Sequence, residues 1–124
     1  LLLKRLYPGL ATLYIQTPSI GPGLFIQHGF STCINAAEIG ENCWINQDVS
    51  IGFSAKGRPV LGDNVRIAAG AKVFGPIAVG DNATVGANVS VSKDVAPGAL
   101  LVQPLPVDLN EIRAARAAAA TDRA

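Results

Sequence analysis

Residues 61–91 read LGDNVR-IAAGAK-VFGPIA-VGDNAT-VGANVS-V, and the first residue of every group of six is aliphatic. Isoleucine, leucine and valine make up roughly a quarter of the chain, so six such residues in one phase have a chance of about 4 in ten thousand. A period of six fits neither an α-helix nor one long strand, but it fits a short strand followed by a turn, repeated. The fifth residue of each group is also small or aliphatic. Inward-facing first and fifth positions would close three short sides into one coil of a β-helix.

Two interruptions break this period nearer the N-terminus. The spacing of six is kept within two earlier sets of isoleucines: Ile20 with Ile26, and Ile39 with Ile45 and Ile51. The step of ten residues from Ile51 to Leu61 predicts that residues 53–59 form a loop outside the coil. The step of thirteen residues from Ile26 to Ile39 predicts a small irregularity at residues 31–35. Corners are predicted where glycine and asparagine recur, because both tolerate positive φ. They lie at Gly40-Glu41-Asn42, Gly62-Asp63-Asn64, Gly80-Asp81-Asn82 and Gly86-Ala87-Asn88.

The pattern divides the chain into three regions. Residues 20–96 are predicted to form about four coils of an all-β parallel β-helix. Residues 1–19 form a lead-in that resembles the end of a helix, and because the chain contains no methionine we expect further sequence upstream. Residues 97–124 are predicted to run extended along the last coil, covering its unpaired strand edges, and then to form a short helix. Asp108 followed by Glu111 resembles a capping box, and the alanine-rich helix beyond it has so little to bury that we expect fraying.

Composition excludes several classes of function. A net charge of +1 over 124 residues gives no support for binding nucleic acid or an anionic membrane surface. No apolar run approaches the ~20 residues of a membrane span, and the leucines at the start are too few for the core of a signal peptide. Cys43 falls at an inward fifth position, where a reduced thiol serves as a small hydrophobic residue. A reduced thiol favours a cytoplasmic location.

One lane of positions is suited to chemistry. The third residues of the hexads on one side are His28, Gln47, Ala69 and Ala87, and His28 is the only histidine of the chain. The lane becomes small beyond its first two members, with Gly70 beside Ala69. Three coil steps make roughly 14 Å of shallow surface, since neighbouring strands lie about 4.8 Å apart. An extended thioester arm could lie there, bonded to backbone amides, with its reactive end at the imidazole.

Several strings together resemble the hexapeptide-repeat acyltransferases, nearest to the serine acetyltransferase branch and its relatives that acetylate sugars. The strings are Ile20-Gly-Pro-Gly-Leu-Phe-Ile-Gln-His28-Gly, Val49-Ser-Ile-Gly52, Gly57-Arg-Pro59, Gly62-Asp-Asn64, Ala68-Ala-Gly-Ala-Lys72 and Val91-Ser-Lys-Asp-Val95. The resemblance covers about residues 20–97. It implies a left-handed triangular β-helix, a hand opposite to the usual right-handed crossover. It also implies a homotrimer with active sites between neighbouring subunits, and acetyl-CoA as the donor.

The resemblance also assigns roles to residues. His28 matches the catalytic histidine, Ala69 and Ala87 match positions whose backbone contacts the CoA arm, and Gly52 matches a glycine beside the thioester end. Gly70 belongs to the same small surface as Ala69. Lys93 is a candidate for CoA phosphates, although an exposed corner lysine needs no ligand.

Three departures from the family pattern concern the acceptor. Arg58 stands where serine acetyltransferases have a second histidine, and it is either a ligand for an anionic group or a solvated loop cation. Gln27 replaces the aspartate that is tied to serine binding. No carboxylate occurs at residues 13–15, where the family has the aspartate that orients the histidine. These differences favour a sugar or another alcohol over L-serine.

The predicted mechanism is direct acetyl transfer. An imidazole has an unperturbed pKa of about 6.5. Its neutral form can therefore take the proton of an acceptor hydroxyl and return it to the CoA thiolate. Backbone N–H groups near Gly52 are candidates for stabilising the oxyanion. A covalent acyl-enzyme is not expected, because no nucleophile pairs with the histidine in the sequence.

Two other function classes compete with acetyl transfer. A hexad-repeat zinc enzyme would need three histidines, and this chain has one. A non-catalytic trimeric scaffold or trimerisation module is the second alternative, and CoA binding would distinguish it from an acetyltransferase. No metal is predicted.

Overall fold

The computed structural model describes residues 9–52 and 54–123, and its repeat is a parallel β-solenoid of about five turns. Every named strand pairing is parallel. The strands are β1 (Leu13–Ile15), β2 (Phe25–Ile26), β3 (Thr32–Ile34), β4 (Glu38–Ile39), β5 (Trp44–Ile45), β6 (Ser50–Gly52), β7 (Val60–Leu61), β8 (Arg66–Ile67), β9 (Lys72–Phe74), β10 (Ala78–Val79), β11 (Thr84–Val85), β12 (Ser90–Val91) and β13 (Leu100–Leu101). One helix, α1 (Leu109–Thr121), follows them. The helical end predicted within residues 1–8 lies outside the described residues.

The strands stack into three sheets, one on each side of the coil. Side A has the order β1-β3-β6-β9-β12, side B has β10-β7-β4, and side C has β13-β11-β8-β5-β2. The predicted four coils become about five turns, because β1 pairs with β3 and β13 pairs with β11. Both of these strands lie outside the predicted repeat of residues 20–96.

The predicted inward positions form the core. Ile45, Ile67 and Val85 occupy equivalent positions in successive coils and are essentially inaccessible to solvent. Cys43 is also buried, and its thiol donates to the carbonyl oxygen of Gly62 at 3.2 Å. Burial raises the pKa of this thiol, so it stays protonated at neutral pH. Both cysteines are free.

At the corners between sides B and C, asparagine and glycine meet two different structural requirements. Asn42, Asn64 and Asn82 carry the positive φ, at 53°, 55° and 59°. The glycines serve close approach, since a Cβ on Gly62 would collide with the carboxylate of Asp81. That carboxylate accepts a hydrogen bond from the backbone N–H of Asp63 in the previous coil at 2.7 Å. Each corner is therefore tied to the next.

The two interruptions differ in structure. The loop after β6 contains a tight turn in which Ser54 and Gly57 exchange backbone hydrogen bonds of 2.8 and 3.1 Å. This confirms the predicted excursion from the coil. In the first coil, Ile26 pairs with Ile45 and Ile34 pairs with Ile51. The step from Ile26 to Ile34 is eight residues instead of six, and the step from Ile34 to Ile39 is five.

The C-terminal segment covers the last coil only in part. β13 pairs with β11, and the side-chain amide of Gln103 donates to the carbonyl oxygen of Asn88 at 2.6 Å. A shallow cavity lined by Val91, Val95 and Leu101, among others, stays open at this end. Helix α1 has Asp108 as its N-cap, and none of its residues is buried. Within the described residues, no helix has the length and apolar character that a membrane crossing requires.

Candidate active site

His28 lies at the corner between sides C and A, in a two-residue insertion. Gln27 occupies the same position in the first coil as Asn46 does in the second, since their backbone N–H groups donate to successive inward isoleucines. Ser31 takes the positive φ of the regular corner residue Asp48, at 51° against 57°. His28 and Gly29 are therefore the extra pair, with φ of 67° and 53°. The His28 side chain is exposed to solvent.

Local contacts hold this corner. The hydroxyl of Thr12 accepts a hydrogen bond from the backbone N–H of Ser31 at 3.0 Å, and its carbonyl oxygen accepts one from Thr32 at 3.0 Å. Gly29 is buried, and a Cβ added to it would lie 3.1 Å from the side chain of Ile26. The imidazole of His28 therefore projects from a backbone that is held on both sides of the insertion.

The predicted lane of third positions needs one correction. The N–H of Asp48 donates to the carbonyl oxygen of Phe30, as the N–H of Gly70 does to that of Gln47 one coil later. Phe30, not His28, thus stacks in line with Gln47. His28 lies beside the first end of the lane, and its ring centroid is 6.2 Å from that of Phe30.

The rest of the lane is as small as predicted. Ala69 is half-buried and Ala87 is exposed. Gly70 has a φ of 75°, and a Cβ there would collide with the side-chain amide of Asn88. Gly70 therefore adds no side-chain bulk to the corner between the two alanines.

Three other predicted residues lie at the opposite edge of side A. Gly52 ends β6, and a Cβ on it would meet no atom of residues 9–52 and 54–123 within 4 Å. Arg58 is exposed in the loop after β6, and Lys93 is exposed just after β12. Strands of side A are two or three residues long, and three residues span roughly 10 Å. One chain therefore does not bring these three residues to His28.

Gln27 is already engaged. Its side-chain oxygen accepts a hydrogen bond from the indole N–H of Trp44 at 3.2 Å, and the residue is half-buried. The substrate contact predicted for Gln27 thus competes with a contact inside the chain.

Trp44 belongs to a row of side chains that sequence analysis did not connect to function. On the outer face of side C, Phe25, Trp44 and Arg66 are direct neighbours in the register. The rings of Phe25 and Trp44 meet edge to face at 5.4 Å, and the Arg66 guanidinium lies 5.2 Å from the centre of the indole ring. We call these three residues the side C shelf. The sequence signal that could have found them is their position, since each comes immediately before an inward isoleucine in three successive coils.

A shallow pocket of about 160 Å³ adjoins the shelf. Its lining residues are Trp44, Asn46, Arg66, Ile67, Ala68 and Thr84. The lining is mainly apolar and includes an amide, a guanidinium and a hydroxyl. Arginine is the only charged residue among them.

Asn35 is another residue to which the sequence analysis gave no function. It follows Ile34, lies beside Gly52 in the register, and is 6% exposed. Within the described part of the chain its side-chain oxygen has no hydrogen-bond partner. Among the same residues, no group of three histidine, cysteine or acidic side chains is arranged to hold a metal ion.

The chain resembles known proteins in sequence and in fold. No protein-family model matches the chain. The serine acetyltransferase of Helicobacter pylori (strain ATCC 700392 / 26695) is 43% identical over 88 residues, which are 67% of this chain and 52% of the relative. That of Mycobacterium tuberculosis (strain ATCC 25618 / H37Rv) is 42% identical over 88 residues, 67% of this chain and 38% of the relative. The chain thus spans about half or less of the curated relatives it matches.

Solved structures agree with the sequence matches. Soybean serine acetyltransferase, as the apoenzyme, superposes with a TM-score of 0.69 and 33% identity, over 76% of this chain and 41% of the soybean chain. Neisseria gonorrhoeae serine acetyltransferase in complex with serine gives a TM-score of 0.65 and 33% identity, over 73% of this chain and 39% of its own. The β-solenoid of this chain therefore belongs to the hexapeptide-repeat acyltransferases, in the branch that contains the serine acetyltransferases.

Proposed function

We propose that this chain transfers an acetyl group from acetyl-CoA to a hydroxyl acceptor, as an O-acetyltransferase of the serine acetyltransferase type. The observation that carries the proposal is the exposed imidazole of His28 on a held corner, beside a lane of small residues. Similarity to serine acetyltransferases at about 43% identity supports the reaction class.

His28 acts as the general base. Its imidazole accepts the proton of the acceptor hydroxyl as the oxygen attacks the acetyl carbonyl, and then gives that proton to the departing CoA thiolate. Such catalysis contributes roughly 10²–10⁴-fold, and the rest comes from holding both substrates in line. No covalent intermediate on the protein is required.

The lane of small residues is where the CoA arm lies. Ala69, Gly70 and Ala87 keep side-chain bulk away from the corner, so an extended arm can approach the backbone there. Lys93 is the candidate partner for CoA phosphates, and Gly52 lies on open surface where a thioester end fits.

A second subunit completes the site. One edge of side A carries Gly52, Arg58 and Lys93, and the opposite edge carries His28. A neighbouring copy must therefore bring the first edge against the corner that carries His28. A contact that joins one edge of a protomer to a different edge of its neighbour is heterologous, and repeated contacts of this kind form a ring when the rotation between neighbours closes. We propose a homotrimer, the closed ring that the family resemblance implies.

The reaction is tested with His28→Ala. Acetyl transfer, followed as CoA thiol released in a screen of serine, homoserine and sugar alcohols, is expected to fall at least ~100-fold. Arg113→Ala on exposed helix α1 is the matched control, and both variants should keep the wild-type molar mass in solution. Unchanged turnover in His28→Ala would remove the general-base assignment.

A non-catalytic scaffold is the competing function. The absence of a carboxylate at residues 13–15 favours it, because no acidic group from β1 is there to orient the imidazole. Calorimetric titration with CoA distinguishes the two functions, since a scaffold has no reason to bind CoA. Saturable binding that Ala87→Trp weakens at least tenfold supports the acetyltransferase.

A further inference from the structure

We propose that the side C shelf binds the acceptor, and that the acceptor is a sugar acid whose carboxylate pairs with Arg66. The proposal rests on the acetyl transfer proposed above and names its acceptor class. The charge, the lining and the position of the pocket beside Trp44 support this assignment.

Arg66 has the character of an anion-binding residue. Its guanidinium carbon lies over the indole of Trp44, 5.2 Å from the ring centre, and a cation–π contact of this kind does not use up the N–H donors of the guanidinium. Within the described residues Lys72 forms an ion pair with Asp48, and no carboxylate is paired with Arg66. A planar guanidinium offers two parallel donors to a carboxylate, which is why arginine is common at such sites.

The remaining lining suits a sugar ring. Ala68 and the indole supply apolar walls, while Asn46 and Thr84 add hydrogen-bonding groups to the lining. A pyranose has both characters, with C–H faces that contact aromatic surface and hydroxyls that need polar partners. The indole is held by Phe25, Arg66 and Gln27, so the wall is formed before a ligand arrives.

The position of the pocket connects it to His28. Asn46 lies opposite Gln27 in the next coil, and Gln27 immediately precedes His28. Arg66 is two coils and three residues along the strand from His28, which places their Cα atoms roughly 14 Å apart. Both side chains are long enough to reach into that gap from its two ends.

This separation selects among acceptors that carry a carboxylate. L-Serine has its hydroxyl and carboxylate on adjacent carbons, so its two groups do not span Arg66 and His28 together. A hexuronic acid in its pyranose form has hydroxyls across the ring from the carboxylate. With the carboxylate on Arg66, one of those hydroxyls can face the imidazole. Transfer would then give an O-acetyl sugar acid and free CoA thiol, with the hydroxyl proton carried by His28.

The chain contains one tryptophan, so its fluorescence reports occupancy of this pocket without any acetyl transfer. The probes are glucuronate, glucose, L-serine and ADP, each titrated against the whole chain. Glucuronate is expected to change the emission saturably, and glucose at least tenfold more weakly because it lacks the carboxylate. Arg66→Gln should weaken glucuronate binding at least tenfold. Arg113→Gln, which removes an equivalent charge on helix α1, should leave it unchanged.

Three outcomes would overturn the proposal: no saturable change with glucuronate, equal binding by Arg66→Gln, or tighter binding of serine or ADP than of glucuronate. The last would identify an amino acid or a nucleotide phosphate as the ligand of Arg66. Failure of the shelf and failure of the enzyme are distinguishable. Glucuronate binding that persists in His28→Ala supports the shelf, whereas transfer to serine without glucuronate binding refutes it and leaves the acetyltransferase in place.

Discussion

Two corners of the same solenoid are built in opposite ways. The corner at Gly62-Asp63-Asn64 repeats in neighbouring coils, and its carboxylate and backbone groups bond directly to the coils before and after it. The corner at residues 27–31 occurs once, carries two extra residues, and places His28 and Ser31 at positive φ. The first is stabilised by its copies, whereas the second depends on Thr12 and the buried Gly29.

The difference indicates where this fold can accommodate chemistry. A residue in a repeated corner is constrained by the coils above and below it, so its side chain serves the stack. Non-glycine residues in the left-handed region each cost of order 1 kcal/mol or more, and they gather at functional sites. A regular corner between sides B and C holds one asparagine in that region, which this residue type tolerates, whereas the inserted corner holds both His28 and Ser31 there. The inserted corner therefore combines a higher local cost with an exposed imidazole, while the regular corners supply the stability that tolerates it.

The largest expected effect comes from a charge in the regular core. Val73→Asp places a carboxylate among fully buried residues, which costs several kcal/mol and should prevent folding. Ser90→Asp is the matched control, because Ser90 lies outward on the neighbouring strand β12 beside Lys72. Circular dichroism and thermal melts compare the two. A soluble Val73→Asp protein with the wild-type melting temperature would contradict the inward register.

A smaller effect is expected in a regular corner. Gly62→Ala brings a Cβ against the carboxylate of Asp81 and within 2.9 Å of its backbone nitrogen, so the stacked coils must move apart locally. We expect a loss of about 1–3 kcal/mol in the free energy of unfolding, measured by denaturant titration.

Gly52→Ala is the control for that substitution. No atom of the described residues lies within 4 Å of the added Cβ, and the loss should stay below about 0.5 kcal/mol. Equal losses for the two glycines would mean that close approach between coils is not what selects glycine at Gly62.

The regular part of the molecule follows from the period of six. Inward residues such as Ile67 and Val85, the loop before Val60, and the asparagine corners all lie where the hexads predict them. Strand β1 was missed because it has little to bury: Ile15, which lies beside the inward Ile34, is still 44% exposed. Strand β13, which pairs with β11, lies in the segment that was predicted to run extended along the last coil. Hydrophobic periodicity detects only strands that face the core on a regular step.

The site was predicted less well, for a definable reason. The distance from Ile26 to Ile39 shows one extra residue over two hexads, but this is the sum of two added at one corner and one removed at the next. A sum cannot be divided without the register of the neighbouring coil. His28 was therefore placed in line with Gln47, where the structure has Phe30. The left hand of the coil and the trimer remain predictions from resemblance.

The smallest effect on stability is expected at the inserted corner. Thr12→Val keeps the β-branched shape of the side chain but removes the hydroxyl that accepts the N–H of Ser31. One lost hydrogen bond at an exposed site should cost about 1 kcal/mol of folding free energy. Because Thr12 positions the backbone that carries His28, kcat should fall roughly tenfold while KM for acetyl-CoA stays near the wild-type value.

Thr12→Ser separates positioning from general destabilisation. Serine restores the acceptor oxygen without the methyl group, so it should recover most of kcat even though it loses some packing. If serine and valine lower kcat equally, the hydroxyl does not position His28. If valine costs as much stability as Gly62→Ala, the inserted corner is stabilised by the coil stack as strongly as the repeated corners are, and the contrast between the two corners is wrong.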